Sequence, residues 1–364
     1  NGHAEVVDLL LKDGRADPAA DDNYAIGIIS EYGHIDIVDL LLKDKRVNPA
    51  DDDNYAIRNA SRNGHMGVVD LLLKDDRVDP AALDNYAIGW ASKNGHVGVV
   101  ALLLKDDRVD PAADNNFAIR YASIYVRTDV VSLLLKDGRA DPAADDNYAI
   151  RWASANGHAD VVALLLKDRR VDPTVKRNET IRHASGNGLT DVVALLLKDG
   201  RADPTARYNY AIRVASFHGH TDVVVLLLKD HRADPTANHN CAIQHASKNG
   251  HMDVVALLLK DTHVDPTANN NYAIQEASKN GHTDVVALLL KDGRVDPTTH
   301  NNEAIQCASE KGHAGVVALL LKNGRVDPTT NNNYAITAAS INRHKRVVAL
   351  LLKDGRSVLA RKKK

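Results

Sequence analysis

The sequence predicts an all-α solenoid, a stack of helix-turn-helix repeats joined by short hairpin-like turns. Three observations predict it. A Gly-His pair and a proline each recur at one phase of a 31-residue period. Apolar residues inside each period follow helical spacing. A glycine divides that spacing in two and a proline closes it, so one period encodes two helices.

The grid is unbroken. His3, His34, His65, His96, His158, His220, His251, His282, His313 and His344 fall on it, with Arg127 and Leu189 at the two remaining positions. All eleven prolines, from Pro18 to Pro328, share one phase. Length alone would suggest two or three globular domains, but a fixed period of this size signals a repeat array. The expected organisation is a single solenoid over residues 1–364, about 11.5 repeats of 31 residues, the first truncated.

One repeat, Asn85 to Ala113, serves for the rest. Asn85 precedes a helix with Ala87, Ile88 and Ala91 on its buried stripe. Asparagine recurs at this position from Asn23 to Asn333 and is expected to cap the helix N-terminus. Gly95 is expected to end the first helix in a left-handed conformation. The second helix should run from about Gly98 to Lys105, burying Val99, Val100, Leu103 and Leu104. Pro111 then forces an extended turn or short hairpin. Each helix is about two turns long and marginal alone, so stability must come from neighbouring repeats.

Composition narrows the function. Hydrophobic residues at 44% and charged residues at 26% suit a folded chain. Aromatics are only 4%, so Ala, Val, Leu and Ile must fill the interior. The net charge of -2 gives no global pull toward nucleic acid or membrane surfaces. No apolar run approaches the roughly 18 residues of a membrane span, and no signal peptide opens the sequence. Cys241 and Cys307 lie two repeats apart at different phases, which excludes a disulfide on distance. There is no Gly-rich phosphate loop, no His-Glu-x-x-His and no Cys-x-x-Cys, so neither catalysis nor a cofactor is expected. His218, His220, His239 and His245 form the densest histidine group, but nothing in the sequence makes them converge on a metal. Residues 357–364, ending Arg361-Lys362-Lys363-Lys364, read as a basic solubilising tail. The chain begins in mid-repeat, so the helix from about Glu5 to Lys12 should expose its apolar face unless upstream residues cover it.

The stretch Gly95-His96-Val97-Gly98-Val99-Val100-Ala101-Leu102-Leu103-Leu104 resembles the core of the ankyrin repeat, Gly-His-x-x-Val-Val-x-Leu-Leu-Leu. Ala91 and Ile88 match that family's first-helix alanine and buried leucine. The opening differs, with Tyr86-Ala87-Ile88-Gly89 where the family has Thr-Pro-Leu-His. The closing turn also differs, and the period is two residues shorter than usual, which implies a shorter hairpin. This dialect resembles the expanded ankyrin proteins of giant DNA viruses and their protist hosts. The resemblance implies a non-catalytic scaffold that binds a protein partner along a concave groove and at the turn tips. It also implies a cytoplasmic location, that of the host if the source is viral, and a monomer. A second reading is a substrate-recruiting adaptor for a host ubiquitin ligase, acting through a domain absent from this chain. A third is a nucleic-acid-tracking or purely structural solenoid, which the lack of a basic excess disfavours.

Comparing repeats separates scaffold from surface. The closing-turn arginines, Arg15 to Arg356, and the aspartate before each proline hardly vary. They are expected to bond across adjacent turns and to hold helix-end carbonyls. One first-helix position varies completely, and includes Trp90, Tyr121, Trp152 and His183 in four consecutive repeats. The position three residues later, on the same face, includes Lys93, Ile124 and Phe217. In ankyrin relatives this face lines the groove, and Trp and Tyr are common binding anchors; the alternative is that the rings pack between repeats. An arginine series, Arg58, Arg120, Arg151, Arg182 and Arg213, sits just before the variable position and reads as structural. The turn tips shift from acidic (Asp21-Asp22, Asp145-Asp146) through basic (Lys176-Arg177, Arg207) to neutral (Asn331-Asn332). Such zones would set a partner's register, or would record drift in solvated loops. Ile124-Tyr125-Val126-Arg127 replaces the usual Asn-Gly-His and is expected to distort its turn.

Overall fold

A computed structural model describes residues 2–357, so the tail residues 358–364 lie outside the described residues. Two compact units are present, Asn1–Lys176 and Arg177–Lys364. Within each unit, first helices pack on first helices and second helices on second helices. Ala82–Asn94 and Val97–Leu103 are one such pair, joined through the Gly95-His96 turn. No strand occurs among the described residues, so the connection between repeats is not a β-hairpin.

The core is thin and repetitive. Ala87, Ile88, Ala91, Val99, Val100, Leu103 and Val109 are all buried, and their equivalents recur in the interior repeats. Burying one such Ile, Val or Leu is worth about 1.5–3 kcal/mol. The helix Ala4–Asp13 buries nothing, and Val6, Leu9 and Leu10 are exposed as expected.

The repeated asparagine is not a helix cap. The helix beginning at Ala144 carries no side-chain cap bond, and Asp145, Asp146 and Asn147 all hold left-handed backbone, φ 55°, 54° and 58°. The same three-residue left-handed turn recurs from residues 21–23 to 331–333. Left-handed backbone costs an ordinary residue roughly 1–2 kcal/mol, and Asn and Asp tolerate it best. That is why Asp and Asn fill most tips. The Asn147 side chain is buried, and its Oδ1 accepts the backbone N–H of Asp172, in the following closing turn, at 2.7 Å. Asn54 holds Asp79 and Asn271 holds Asp296 in the same way.

Two further bonds tie each repeat to its neighbour. Arg77 forks onto Asp75 through Nε at 2.9 Å and Nη2 at 2.6 Å, while its Nη1 donates to the carbonyl of Val47 in the preceding repeat. The expected bond across turns is therefore present. Its acid partner is the aspartate two residues before the arginine, not the one before the proline. That second aspartate closes its own turn, as when Asp79 Oδ1 accepts the Ala81 N–H. The grid histidine reaches back too, with His65 Nε2 at 2.8 Å from the Glu31 carbonyl. Its ring lies over Gly33, where an added Cβ would sit 2.4 Å from His65 Nδ1, and Gly33 has φ 78°. Only glycine meets both demands.

The turn at Ile124–Arg127 is not distorted. Val126 adopts φ 59°, the glycine conformation. The Arg127 N–H bonds the Ala122 carbonyl at 2.8 Å, as the His96 N–H bonds Ala91 at 2.9 Å. Arg127 Nε also donates to the Lys93 carbonyl, replacing the histidine bond. The cost moves into Val126, a β-branched residue with positive φ.

Asn147→Ala should lower stability by about 2–4 kcal/mol, since it orphans the Asp172 N–H and strains the left-handed backbone. Asn147→Gly should recover part of that loss. Urea unfolding together with amide exchange at Asp172 checks both, and equal losses for the two variants would contradict the backbone term.

The paired aspartates give a second expectation. The Arg46 guanidinium holds Asp44 down to about 2, and arginine partners depress Asp75, Asp106, Asp137, Asp168, Asp199, Asp230, Asp292 and Asp354 in the same direction. A depressed folded-state value stabilises fully above the unfolded aspartate value of about 3.9, and that contribution is lost as pH falls through the folded value. The thermal midpoint should drop between about pH 4 and pH 2. Asp75→Asn should lower the midpoint at neutral pH and flatten the drop.

Candidate interaction surface

Side chains at constant positions are largely occupied by the bonds above. The variable positions of the first helices are not. In the first unit Trp90 and Tyr121 at these positions join three neighbouring rings in a cluster of five. Tyr86 stacks on Trp90 at 5.5 Å, Trp90 meets Phe117 at 5.9 Å, Phe117 stacks on Tyr121 at 4.1 Å, and Tyr121 faces Tyr125 at 6.4 Å. Tyr86 and Phe117 lie four residues before Trp90 and Tyr121, hence on the same helix face. Gly89 makes the crossing possible, because a Cβ there would meet Phe117 at 3.1 Å. Lys93 covers this cluster, with Nζ 4.2 Å from the Trp90 ring centre, 5.5 Å from Tyr121 and 5.4 Å from Tyr125. Trp90, Tyr121, Lys93 and Ile124 are half-buried.

Trp152 differs. It is 43% exposed and touches only the Tyr148 ring among the described aromatics, at 5.7 Å. Lys176 reaches Asp146 at 3.2 Å, joining two successive tips.

In the second unit, His183 is exposed, with Nδ1 3.7 Å from Glu179. Phe217 is 40% exposed and takes the edges of His218 and His245. Tyr210, Arg213, Val214, Phe217, His218 and His245 enclose a shallow recess of about 250 Å³. Arg177, Arg182, Arg207 and Arg213 line a larger one of about 810 Å³ with Tyr208 and Tyr210. No group of three or more His, Cys, Asp or Glu side chains is placed to hold a metal among the described residues.

The arginine series has a local task. Arg58 donates to the carbonyls of Asp53 and Asp52, at 2.7 and 2.9 Å, holding its own left-handed turn. Gln244, Gln275 and Gln306 do the same for His239, Asn270 and Asn301. Glutamine also accepts, so Asn269 and Asn331 of the next tips bond Gln244 and Gln306. Arginine cannot accept, and Arg120 meets Asp145 instead, at 3.0 Å.

A family profile for ankyrin repeats in three copies matches residues 1–84, 57–146, 212–301 and 274–362. The chain belongs to the ankyrin repeat family. Among solved structures, the ankyrin repeat domain of Bcl-3, described as a unique member of the IkappaB protein family, is 23% identical. That match covers 56% of this chain and 97% of that domain, with a TM-score of 0.45. The ankyrin repeat protein EF0377 is also 23% identical, with 48% of this chain and 96% of that one covered and a TM-score of 0.41. No curated protein sequence matches this ankyrin chain. Ankyrin repeats are in general protein–protein interaction modules. No helix among the described residues is long and apolar enough to cross a membrane.

Sequence reasoning found Trp90, Tyr121 and Lys93 but not their ring partners Tyr86, Phe117 and Tyr125. It found Arg177 and Arg207, read Arg182 and Arg213 beside them as structural, and did not single out Tyr208 and Tyr210. For Tyr86, Phe117, Tyr125 and Tyr210 the signal was a spacing of four residues before or after the variable position.

The two tryptophans should separate by stability. Trp90→Ala removes the middle of a packed ring cluster and should cost about 2–4 kcal/mol. Trp152→Ala should cost about 1 kcal/mol or less. Denaturant unfolding of both variants measures this, and equal losses would refute the division between packed and displayed rings.

Proposed function

We propose that this ankyrin repeat protein is a non-catalytic scaffold that binds a protein partner through the variable face of its first helices. One observation carries the reading. Constant polar positions are spent on bonds within the array, whereas Trp152 and Phe217, both exposed, stand at positions free to vary. A side chain released from scaffold duty and left projecting is available to a partner. Trp and other aromatics dominate binding energy when a partner desolvates them.

The proposed contact residues divide by unit. In the first unit Trp152 is the anchor. Trp90, Tyr121, Lys93 and Ile124 form a packed platform, and Lys176 borders the tips. In the second unit Phe217 is the anchor, with His183, Arg177 and Arg207 as polar contacts. The adaptor and nucleic-acid readings gain no observation of their own.

Affinity capture with the intact chain as bait tests the proposal. Trp152→Ala or Phe217→Ala should weaken capture of a bound protein by about 30-fold, the effect of losing about 2 kcal/mol, at unchanged helix content by circular dichroism. Identical capture by both variants and the parent would overturn it.

A further inference from the structure

We propose that the arginine-lined recess of the second unit is an oxyanion site for a phosphorylated side chain on the protein partner. The inference rests on the interaction reading above and gives it a chemistry.

The recess gathers four guanidinium groups from two successive repeats. Arg177 and Arg207 project from the left-handed tips, and Arg182 and Arg213 rise from the first helices behind them. Arg182 and Arg213 flank the Tyr210 ring, with Cζ 5.5 and 5.9 Å from its centre. Their positions are fixed from below. Arg182 Nε donates to the Arg177 carbonyl at 3.0 Å, and Arg213 Nη1 donates to the Tyr208 carbonyl at 3.1 Å. Tyr208 is 81% exposed at the rim and offers a hydroxyl.

This is the wrong charge for the place. Arg120 of the same series faces an acid on the next tip, Asp145. Arg182 faces Arg207. Burial pushes Arg182 below the ordinary arginine range, and Arg207 and Arg177 push it the same way against the opposing pull of Glu179. Neither Arg177 nor Arg207 has a carboxylate partner among the described residues.

The backbone adds an independent observation. Left-handed tip positions favour Asn and Asp, and most tips comply. Seven tip residues depart, and three of them, Arg177 at φ 60°, Arg207 at φ 55° and Tyr208 at φ 58°, line this recess. Strained residues that gather around one cleft mark function more often than drift.

Four guanidinium groups line the recess, more than a single carboxylate would match. A phosphoryl group brings close to two negative charges and three acceptor oxygens, and guanidinium forks match it. The excess is confined to two tips. The tips before it in sequence are acidic and those after it carry asparagine and histidine, whereas a nucleic acid needs a continuing basic track. The Phe217 recess shares Tyr210 and Arg213 with this one, so an apolar residue beside the phosphorylated one would fill it.

Calorimetric titration of the full chain tests the site with four probes: inorganic phosphate, a peptide with one phosphoserine followed by leucine, the same peptide with glutamate in place of phosphoserine, and an oligothymidylate. The phosphopeptide should bind best, and inorganic phosphate should compete with it. Arg207→Gln and Arg177→Gln should each weaken binding about tenfold, the effect of losing one charged hydrogen bond. Lys260→Gln, an equal charge change on a distant exposed side chain, should not. Arg207→Lys should recover part of the affinity, which shows that any loss is not one of folding. Equal affinity for phosphoserine and glutamate peptides, tighter binding of oligothymidylate, or equal weakening by Lys260→Gln would each overturn the proposal. None of these results alters partner capture through Trp152, so the two readings fail separately.

Discussion

The array depends on one buried hydrogen bond, from the tip asparagine to the closing turn 25 residues on. Asn147 Oδ1 accepts the Asp172 N–H from a backbone that only a few residue types adopt willingly. The bond spans 25 residues, the arginine bond to the preceding valine carbonyl spans 30, and the histidine bond to the preceding first helix spans 34. The last two cross a repeat boundary, and the first locks the tip to the closing turn of its own repeat. An inserted residue would keep at most some of them in register. The 31-residue grid is therefore unbroken for an energetic reason, since each slip would strand buried donors and acceptors at about 1–3 kcal/mol apiece.

These bonds also divide the labour between residues. Aspartate, arginine, asparagine and histidine at constant phase look in sequence like a charged surface, yet each has a partner inside the array. The exchange of arginine for glutamine before the variable position follows the same logic. Both donate to the carbonyls of the left-handed turn, but glutamine also accepts, so it can meet an asparagine on the next tip where arginine needs an acid. Tip and helix residues are thus coupled across repeats.

The sequence disclosed the period, the helix pairs, the buried stripe and the Gly95 helix end, because each is written in local spacing. It did not disclose the left-handed turn. Asparagine before an apolar stripe reads as an N-cap, and no local pattern separates that from an asparagine reaching 25 residues forward. The turn at Val126 misled for the related reason that a bond to a neighbouring repeat can hold a residue in a conformation its own preference opposes. At the surface, the variable positions were legible but their depth was not. Trp90 and Trp152 occupy equivalent sites, and their ring neighbours distinguish them: Phe117 and Lys93 close over the first, while the second meets only the Tyr148 ring among the described aromatics.

The left-handed tips turn composition into information about function. Where a backbone prefers asparagine or aspartate, those residues need no further account, however acidic the loop becomes. Departures do. Leu83 shares a recess with Tyr86 and Trp90, and Lys176 bridges to Asp146, so each has an interaction to offset its strain. Arg177, Arg207 and Tyr208 have no comparable contact within the described residues, and they add like charge to a place that already holds Arg182 and Arg213. Arg182 and Arg213 hold the backbone of these tips through the Arg177 and Tyr208 carbonyls, but folding does not favour the repulsion between like charges. What remains to favour those residues is an anion supplied from outside the chain, and the recess they line is where it would sit.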